Sequence, residues 1–174
     1  MPTIGVAVAI PEPWATQLQD YRTTVGDATA TMIPTHITLV PPLDVDDDLE
    51  VIERHLEEAA AQVEAFGVHL RGTGTFRPIS PVVFVTLVEG ISQCEQLAKV
   101  VRRGPLGIDL HFPYHPHVTV AHHLDDEQLD QAFADLSAFE CRFDVADFHL
   151  YVHDSGRGWQ PTRDFALRAD PPGV

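Results

Sequence analysis

Two short motifs of one type, His-x-Thr, occur in similar surroundings in this sequence. The first spans His36–Thr38 in "PTHITLV", and the second spans His117–Thr119 in "HPHVTVA". Each lies in a run of apolar and β-branched residues that is typical of a strand, with a proline one or two residues before the histidine. A single His-x-Thr tripeptide carries little information in a chain with ten histidines. The similar sequence context of the two motifs, rather than their number, therefore points to a shared function.

The spacing within each motif determines which side chains can act together. Residues i and i+2 of a strand point to the same face, so His36 projects with Thr38 and His117 with Thr119. Two imidazoles facing one cleft could serve as general base and general acid, since both titrate near neutral pH. Two hydroxyls could donate hydrogen bonds to phosphate oxygens. This set predicts phosphate chemistry without a metal or other cofactor, whereas for either motif alone ordinary strand packing is the favoured interpretation.

The predicted elements repeat around the two motifs. After His36 the chain is predicted to run strand, helix, strand, strand, and the same series recurs after His117, each time with an acidic helix start. The two histidines are 81 residues apart, close to half of the 174-residue chain. This repetition predicts an internal duplication. We expect one α+β domain over residues 1–174 with two lobes, each containing a mostly antiparallel sheet, outer helices and one motif at a central cleft.

Hydrophobic periodicity and turn residues predict the elements that position the motifs. Helices are expected at residues 11–26, 44–66, 92–103 and 124–139. Strands are expected at residues 3–10, 36–40, 67–76, 81–89, 117–121, 141–154 and 162–169. Residues 170–174 are predicted to be a frayed tail.

Composition limits the kinds of partner. The net charge of −15 argues against an extended nucleic-acid-binding surface, because such surfaces need many Lys and Arg contacts to phosphate. A small or terminal phosphorylated ligand needs only a few local cations. The only two cysteines, Cys94 and Cys141, favour a reducing, cytoplasmic compartment. The apolar run at residues 3–10 is too short to span a bilayer and has no preceding Lys or Arg, so we expect neither a signal peptide nor membrane association.

The segments "PTHITLVPPL" and "YHPHVTVAHHL" resemble the paired motifs of the two-histidine (2H) phosphoesterase superfamily, which includes 2′-5′ RNA ligase-like proteins and 2′,3′-cyclic phosphodiesterases. The opening "IGVAVAIPEP" is also similar to that family. The resemblance implies a bilobal LigT-like fold and metal-independent phosphodiester chemistry. It further implies that His36 and His117 form the acid–base pair and that Thr38 and Thr119 bind phosphate. The implied substrate is a 2′,3′-cyclic phosphate on a nucleotide or RNA end, or another small phosphoester, and the reverse reaction would be RNA ligation.

The sequence differs from the family pattern after each motif. Residues 40–42, Val-Pro-Pro, stand where several RNA ligase-like members have an aromatic-Leu-Gly stretch. His122 and His123 stand where many members have an arginine. His122 is therefore a candidate replacement for a phosphate-binding cation when it is protonated, although a solvated strand end is the simpler interpretation for at least one of the two.

Four further residues are candidate substrate contacts. Tyr114 precedes the second motif and could stack on a base or ribose, and Tyr151 lies in a later strand from which it could face the cleft. Arg77 and Arg157 lie in predicted turns, where either could reach a phosphate. Core packing of the tyrosines and simple exposure of the arginines are the alternatives.

Two alternatives to a metal-independent enzyme remain open at this stage. A dense histidine cluster, His111, His115, His117, His122 and His123, could hold a metal ion. No cysteine or carboxylate set completes a recognised metal-binding pattern, so no metal site is predicted. The other alternative is a non-catalytic sensor that binds a nucleotide or phosphometabolite in the same cleft. The two complete motifs favour an enzyme, because a sensor needs phosphate donors but no matched acid and base.

Overall fold

The computed structural model describes residues 1–110 and 112–169. These residues form eight strands, four α-helices and two short 3₁₀ turns. In chain order the elements are β1 (Thr3–Ala9), α1 (Trp14–Val25), a 3₁₀ turn (Ala28–Thr31), β2 (His36–Asp44), α2 (Leu49–Ala60), β3 (Phe66–Thr75), β4 (Val82–Glu89), α3 (Ile91–Val101), a 3₁₀ turn (Gly104–Leu106), β5 (His117–His122), α4 (Asp126–Asp135), β6 (Glu140–Val145), β7 (Asp147–Asp154) and β8 (Gly158–Ala166). None of the helices in these ranges is long and apolar enough to cross a membrane.

The described strands form one antiparallel sheet in the order β6-β3-β4-β5-β2-β1-β7-β8. This confirms the predicted α+β class. The sheet has two four-stranded halves, which meet where β2 lies beside β5. Within the described residues, these two strands pair only at Ile37 and Val118. The two sheets expected from the sequence are therefore joined by a narrow junction, and the two motifs lie on either side of it.

The two halves of the sheet are interleaved along the chain. The half that contains the first motif is built from β1, β2, β7 and β8, whereas the half that contains the second motif is built from β3, β4, β5 and β6. The chain therefore enters the second half after α2 and returns to the first half after β6. Residues close to both termini consequently contribute to the surroundings of the first motif.

One predicted strand is wrong in extent. Residues 141–154 are two strands, and β6 pairs with β3 in one half whereas β7 pairs with β1 in the other. The chain changes direction at Ala146, whose carbonyl accepts a hydrogen bond from the amide of Leu167. No glycine or proline marks this change, and so the alternating pattern of the sequence continues across it.

Two predicted element boundaries also differ from those in the structure. The strand that carries the first motif was expected to stop before Pro41, but β2 continues to Asp44 and pairs with β1 along this extension. The prolines are tolerated there because β5 pairs with β2 only at Ile37, which leaves this edge of the extension without a strand partner among the described residues. Helix α2 accordingly begins only at Leu49.

The four helices of the described chain pack against the sheet on one face. Helix α1 contacts β5, and α3 contacts β2. The middle residues of the two motifs, Ile37 and Val118, are fully buried in the same core as Leu18 of α1 and Leu97 of α3. The opposite face of β2 and β5, which carries the histidines and threonines of the motifs, therefore points away from this core.

Candidate active site

The register between β2 and β5 brings the four motif side chains together. Because the strands are antiparallel and pair at the middle residues of the motifs, His36 lies opposite Thr119 and Thr38 lies opposite His117. Directly opposed Cβ atoms on such strands are about 4.5–5.5 Å apart. All four side chains are half-buried on the face away from the helices. They therefore lie together at the junction of the two halves, with approximate two-fold symmetry.

Both motif strands bulge at the same place. The pairing of β1 with β2 skips Leu39, and the pairing of β4 with β5 skips Val120, in each case the residue directly after the motif threonine. A bulge shifts the following residues to the other face of the strand. His122 is thereby returned to the face of Thr119, where it is half-buried. The two motif strands therefore share the same backbone irregularity.

The two imidazoles are oriented by the same local device. The Nδ1 atom of His36 lies 2.7 Å from the carbonyl oxygen of Pro34, and the Nδ1 atom of His117 lies 2.7 Å from that of His115. A carbonyl oxygen only accepts hydrogen bonds, so the Nδ1 atom carries the proton in both rings. In the neutral rings the Nε2 atom is therefore the free base.

Electrostatics differ between the two histidines. Burial is the main cause that lowers the pKa of His36 to about 4; the hydrogen bond to the Pro34 carbonyl opposes this shift, and the positive charges of Arg22 and His117 add to it. Burial also lowers the pKa of His117; the hydrogen bond to the His115 carbonyl opposes this shift, and the charge of the His115 ring adds to it. Both rings are consequently neutral at pH 7. The Thr38 hydroxyl donates a hydrogen bond of 3.0 Å to Nε2 of His36, whereas no equivalent bond joins the second pair within the described residues.

A buried arginine, which the sequence analysis did not identify, supports the first motif. Arg22 of α1 is only 3% exposed. Its Nη1 donates hydrogen bonds to the carbonyl oxygen of Ile33 (2.9 Å) and to Thr35 Oγ1 (3.3 Å), and thereby fixes the segment that leads into the motif. Its Nε lies 3.5 Å from a carboxylate oxygen of Asp27. The one sequence signal is that Arg22 follows Leu18 by four residues, and so shares the buried face of α1.

Tyr114 supports the segment before the second motif. Its hydroxyl donates a hydrogen bond of 2.7 Å to the carbonyl oxygen of Thr38, and the guanidinium of Arg102 lies 5.2 Å from the centre of its ring. Burial raises the pKa of Tyr114, so the hydroxyl stays protonated. Tyr114 therefore links the two motifs, and its only polar atom is engaged within the protein.

The two motif threonines face different neighbours across the sheet. Thr119 pairs with Phe84 of β4, whereas Thr38 pairs with Ala7 of β1. The rings of Phe76 and Phe84 pack against His117 with centroid distances of 4.9 and 5.3 Å. The second motif is therefore walled by aromatic rings, and the first has open space beside it. Tyr151, a predicted contact, lines that space.

His122 lies beside charged groups of the first half. Its ring packs on that of His123 at a centroid distance of 3.6 Å. Burial and His123 lower the pKa of His122, while the carboxylate of Asp27 raises it. His122 thus lies near the Arg22–Asp27 pair. Because its ring is mostly neutral at pH 7, it does not supply the positive charge that was expected of a replacement for arginine.

The two arginines predicted as contacts are engaged elsewhere. Arg77 forms an ion pair of 2.9 Å with Asp130 of α4. Arg157 is exposed in the turn between β7 and β8 and lies 3.6 Å from Asp154. No hydrogen bond or ion pair within the described parts of the chain connects either arginine to a motif residue.

The described residues contain no group of three or more His, Cys, Asp or Glu side chains that could hold a metal ion. His111, one member of the histidine cluster considered above, lies outside the described residues. The rings of His115 and His117 stack at a centroid distance of 5.9 Å.

Comparison with known proteins identifies relatives along most of the chain. The family model described as the 2′-5′ RNA ligase superfamily matches residues 10–157. A Bacillus licheniformis protein, provisionally named a phosphoesterase, is 25% identical over 146 residues, which cover 82% of this chain and 86% of that protein. An Oceanobacillus iheyensis protein with the same provisional name is 25% identical over 148 residues, which cover 83% and 86%.

Solved structures show the same fold. Escherichia coli LigT in complex with NADP+ superposes with a TM-score of 0.68 at 22% identity, over 95% of this chain and 97% of LigT. A Thermus thermophilus protein superposes with a TM-score of 0.67 at 22% identity, over 98% of this chain and 100% of its own. These likenesses confirm the LigT-like fold expected from the sequence.

Proposed function

Because this chain belongs to the 2′-5′ RNA ligase superfamily, the two-histidine phosphoesterases, we propose that it is a metal-independent phosphodiesterase that opens the 2′,3′-cyclic phosphate of a nucleotide or of an RNA end. One observation carries the proposal. Each histidine lies opposite the threonine of the other motif on one open face, and each imidazole presents its Nε2 atom because a backbone carbonyl holds its Nδ1 proton. This arrangement suits one phosphate bound between an acid and a base.

His36 is the better general base. Its lowered pKa keeps the ring neutral, and the hydrogen bond from Nδ1 to the Pro34 carbonyl leaves the lone pair on Nε2. In the proposed reaction, Nε2 takes a proton from water while the water oxygen forms a bond to phosphorus. The hydroxyl of Thr38, which donates to Nε2 in the free protein, turns to a phosphate oxygen when the substrate binds.

His117 is the better general acid. Arg22 lowers the pKa of His36 but is not among the groups that lower the pKa of His117, so the first proton to bind goes to His117. Its Nε2–H gives that proton to the ribose oxygen as the bond between this oxygen and phosphorus breaks. The product is a nucleoside phosphomonoester with one free hydroxyl. Thr119 donates to a non-bridging oxygen, where charge develops in the transition state.

Known complexes and the charge distribution support a small substrate. E. coli LigT has been solved in complexes with 3′-AMP and with phosphate, and 3′-AMP has the chemical form of a product of cyclic phosphate opening. In this chain the arginines with an acidic partner include Arg22, Arg77, Arg142, Arg157, Arg163 and Arg168. With a net charge of −15, few cations remain to hold a long RNA. Ligation, the reverse reaction, needs a second RNA to displace water and is therefore the minor activity.

The proposal is tested by initial rates on 2′,3′-cyclic nucleotides in EDTA. His36→Ala and His117→Ala are each expected to lower kcat/KM by about 10²–10⁴-fold, because each removes a proton-transfer group. His55→Ala is the matched control, since His55 lies on α2 and binds the Val101 carbonyl; it should keep wild-type turnover.

Two outcomes would contradict the proposal. Binding of cyclic nucleotides without any turnover by the wild type would favour the non-catalytic sensor that uses the same cleft. Turnover that EDTA abolishes would restore the histidine cluster as a metal site.

A further inference from the structure

A small pocket opens beside the first motif on the face that carries the histidines. Its floor is Gly5 and Ala7 of β1, and Tyr151 and Trp159 form its wall; we refer to these four residues as the β1 pocket. The pocket borders His36 and Thr38 and has a volume of about 330 Å³, including its open mouth. Its lining, which contains no Asp, Glu, Lys or Arg, is Gly5, Val6, Ala7, Ile33, His36, Thr38, Val40, Pro42, Tyr151 and Trp159.

The indole of Trp159 lies over the glycine of this floor. A Cβ atom at residue 5 would be 3.5 Å from Cζ3 of Trp159, which is ordinary van der Waals contact. The backbone of Trp159 is anchored because its amide donates a hydrogen bond of 2.8 Å to the carbonyl oxygen of Met32, and its ring packs edge-on against that of His153 at a centroid distance of 5.1 Å. The side chain remains only half-buried. Because Gly5 has no side chain, space remains beside one face of the Trp159 ring.

Tyr151 brings an unused polar atom into the pocket. The chain has three tyrosines. Those at positions 21 and 114 donate hydrogen bonds to Asp135 and to the Thr38 carbonyl. Tyr151 is only 6% exposed, yet its hydroxyl forms no hydrogen bond with any residue that the structure describes. Burial raises the pKa of Tyr151, so the hydroxyl stays a donor. No fully buried side-chain nitrogen or oxygen of the described residues lacks a hydrogen-bond partner, so this hydroxyl reaches open space, where it can donate to water or to a ligand.

The corresponding position beside the second motif is filled by aromatic rings. Where the first half has Ala7, the second half has Phe84, which packs with Phe76 against His117. The organic part of a substrate whose phosphate lies between the motifs therefore has room on the side of His36, whereas Phe76 and Phe84 occupy the corresponding place beside His117.

We propose that the β1 pocket binds the base of the substrate, as a flat, uncharged heterocycle of the nucleobase class that stacks on Trp159 and accepts a hydrogen bond from the Tyr151 hydroxyl. The proposal rests on the proposed function, because it places the phosphate between the motifs. An apolar aromatic wall favours a flat ring, the lack of Asp, Glu, Lys and Arg in the lining favours a neutral one, and the Tyr151 hydroxyl orients its edge. The pocket has room for one base, so the site recognises a single nucleotide or the last nucleotide of an RNA.

The test compares two substrates that differ only in the base. We would measure kcat/KM in EDTA for a 2′,3′-cyclic nucleotide and for 1-O-methylribose 2,3-cyclic phosphate, which lacks the base. The wild type is expected to prefer the nucleotide by about 10–100-fold, the range given by stacking one base on an aromatic ring. Trp159→Leu should reduce this preference to near one, through a higher KM for the nucleotide.

Further variants separate the contributions within the pocket. Gly5→Ala adds a methyl group in ordinary contact with Trp159, so it should fold normally and lower the preference by filling the floor. Tyr151→Phe should lower it several-fold. Trp14→Leu is the matched control, because this second tryptophan packs near Phe143, away from the motifs, and should leave the preference unchanged. A wild-type preference near one, or a full preference in Trp159→Leu, would overturn the proposal.

A binding experiment keeps this proposal separate from the proposed function. In a Trp14→Phe variant, Trp159 is the only tryptophan, so its fluorescence reports on the pocket. If the wild type turned over neither substrate, the proposed function would fail, and titration with a nucleoside 3′-monophosphate would still test the pocket. A saturable fluorescence change that ribose phosphate does not produce would support the pocket. No change, or an equal change with ribose phosphate, would overturn it.

Discussion

The two halves of the site have the same backbone and different surroundings. In both, a strand bulges directly after the motif threonine, and a carbonyl oxygen two residues before the histidine holds the Nδ1 proton at 2.7 Å. Around the first motif lie a buried cation, Arg22, and a floor of small residues. Around the second lie the rings of Phe76 and Phe84.

This difference indicates how two motifs with the same backbone geometry can take distinct roles. The shared backbone fixes what both histidines need, which is the tautomer and the direction of Nε2. Among the surroundings, the charge of Arg22 contributes to the low pKa of His36, and a pocket opens beside the first motif where Phe76 and Phe84 fill the corresponding place beside the second. We infer that the first half supplies the base and the ligand pocket, and that the second supplies the acid against an apolar wall.

Replacement of the threonines should give the largest effect among the predictions that probe this comparison. Thr38→Val and Thr119→Val keep the β-branched shape but remove a donor to phosphate, so each is expected to lower kcat by about 10²–10³-fold. Only Thr38→Val should also raise the pKa of His36, because only Thr38 donates a hydrogen bond to the neutral Nε2 atom. The measurement is kcat and the pH dependence of kcat/KM.

The control for this prediction is the serine variant at each position, which keeps the hydroxyl and should retain most of the activity. Wild-type kcat in either valine variant would show that the corresponding half does not bind the phosphate.

Arg22→Met should break the electrostatic difference between the halves. Removal of the nearby positive charge raises the pKa of His36, so the acidic limb of kcat/KM should move up by about 0.5–1 pH unit. The variant also leaves the buried carboxylate of Asp27 without its partner, which costs about 3–5 kcal/mol of unfolding free energy. Denaturant unfolding and a pH–rate profile measure the two effects.

The double variant Arg22→Met/Asp27→Asn separates these effects. It removes the unpaired carboxylate and should recover part of the stability while the shifted limb persists. A limb at the wild-type position in this well-folded double variant would contradict the assigned role of Arg22.

The pH optimum of kcat/KM should lie on the acidic side of neutral. A general base must be deprotonated, so the rate falls as pH drops through the lower pKa, which is about 4 for His36. A general acid must be protonated, so the rate falls as pH rises through the pKa of His117, which is lowered from 6.5. The bell should therefore have its maximum between about pH 4 and 6.5. An optimum above pH 7.5 would be incompatible with this assignment.

Tyr114→Phe should give the smallest effect, because it removes only the hydrogen bond that joins the segment before the second motif to Thr38. We expect a loss of about 0.5–1.5 kcal/mol of unfolding free energy with little change in kcat. Tyr21→Phe is the matched control, since it removes an exposed bond to Asp135 and should cost less. A large loss of kcat in Tyr114→Phe would instead indicate that the hydroxyl contacts the substrate.

Local pattern was sufficient to predict the motif strands and their faces. The alternation of residues fixes that His36 and Thr38 project together, and this spacing needs no knowledge of the rest of the fold. The acidic start of α4 was likewise predictable, since Asp125 and Gln128 form a capping box there. These features depend on residues within a few positions of each other.

Features that depend on pairing between distant strands were not predictable in this way. The break at Ala146 follows from β6 and β7 joining opposite halves of the sheet. The correspondence of Ala7 with Phe84, which creates the β1 pocket, depends on the registers of β1 and β4 with the motif strands. The role of Arg22 was not predicted because charged residues are rarely buried, and because the partners that allow its burial come from the tertiary structure.

The most direct test of the account is a double-mutant cycle on the two histidines, measured as kcat/KM for a 2′,3′-cyclic nucleotide in EDTA. Base and acid act in one step, so the account predicts that the double variant His36→Ala/His117→Ala loses little more activity than either single variant. Losses that multiply in the double variant, or a single variant that keeps wild-type activity, would show that the two halves do not form one catalytic site.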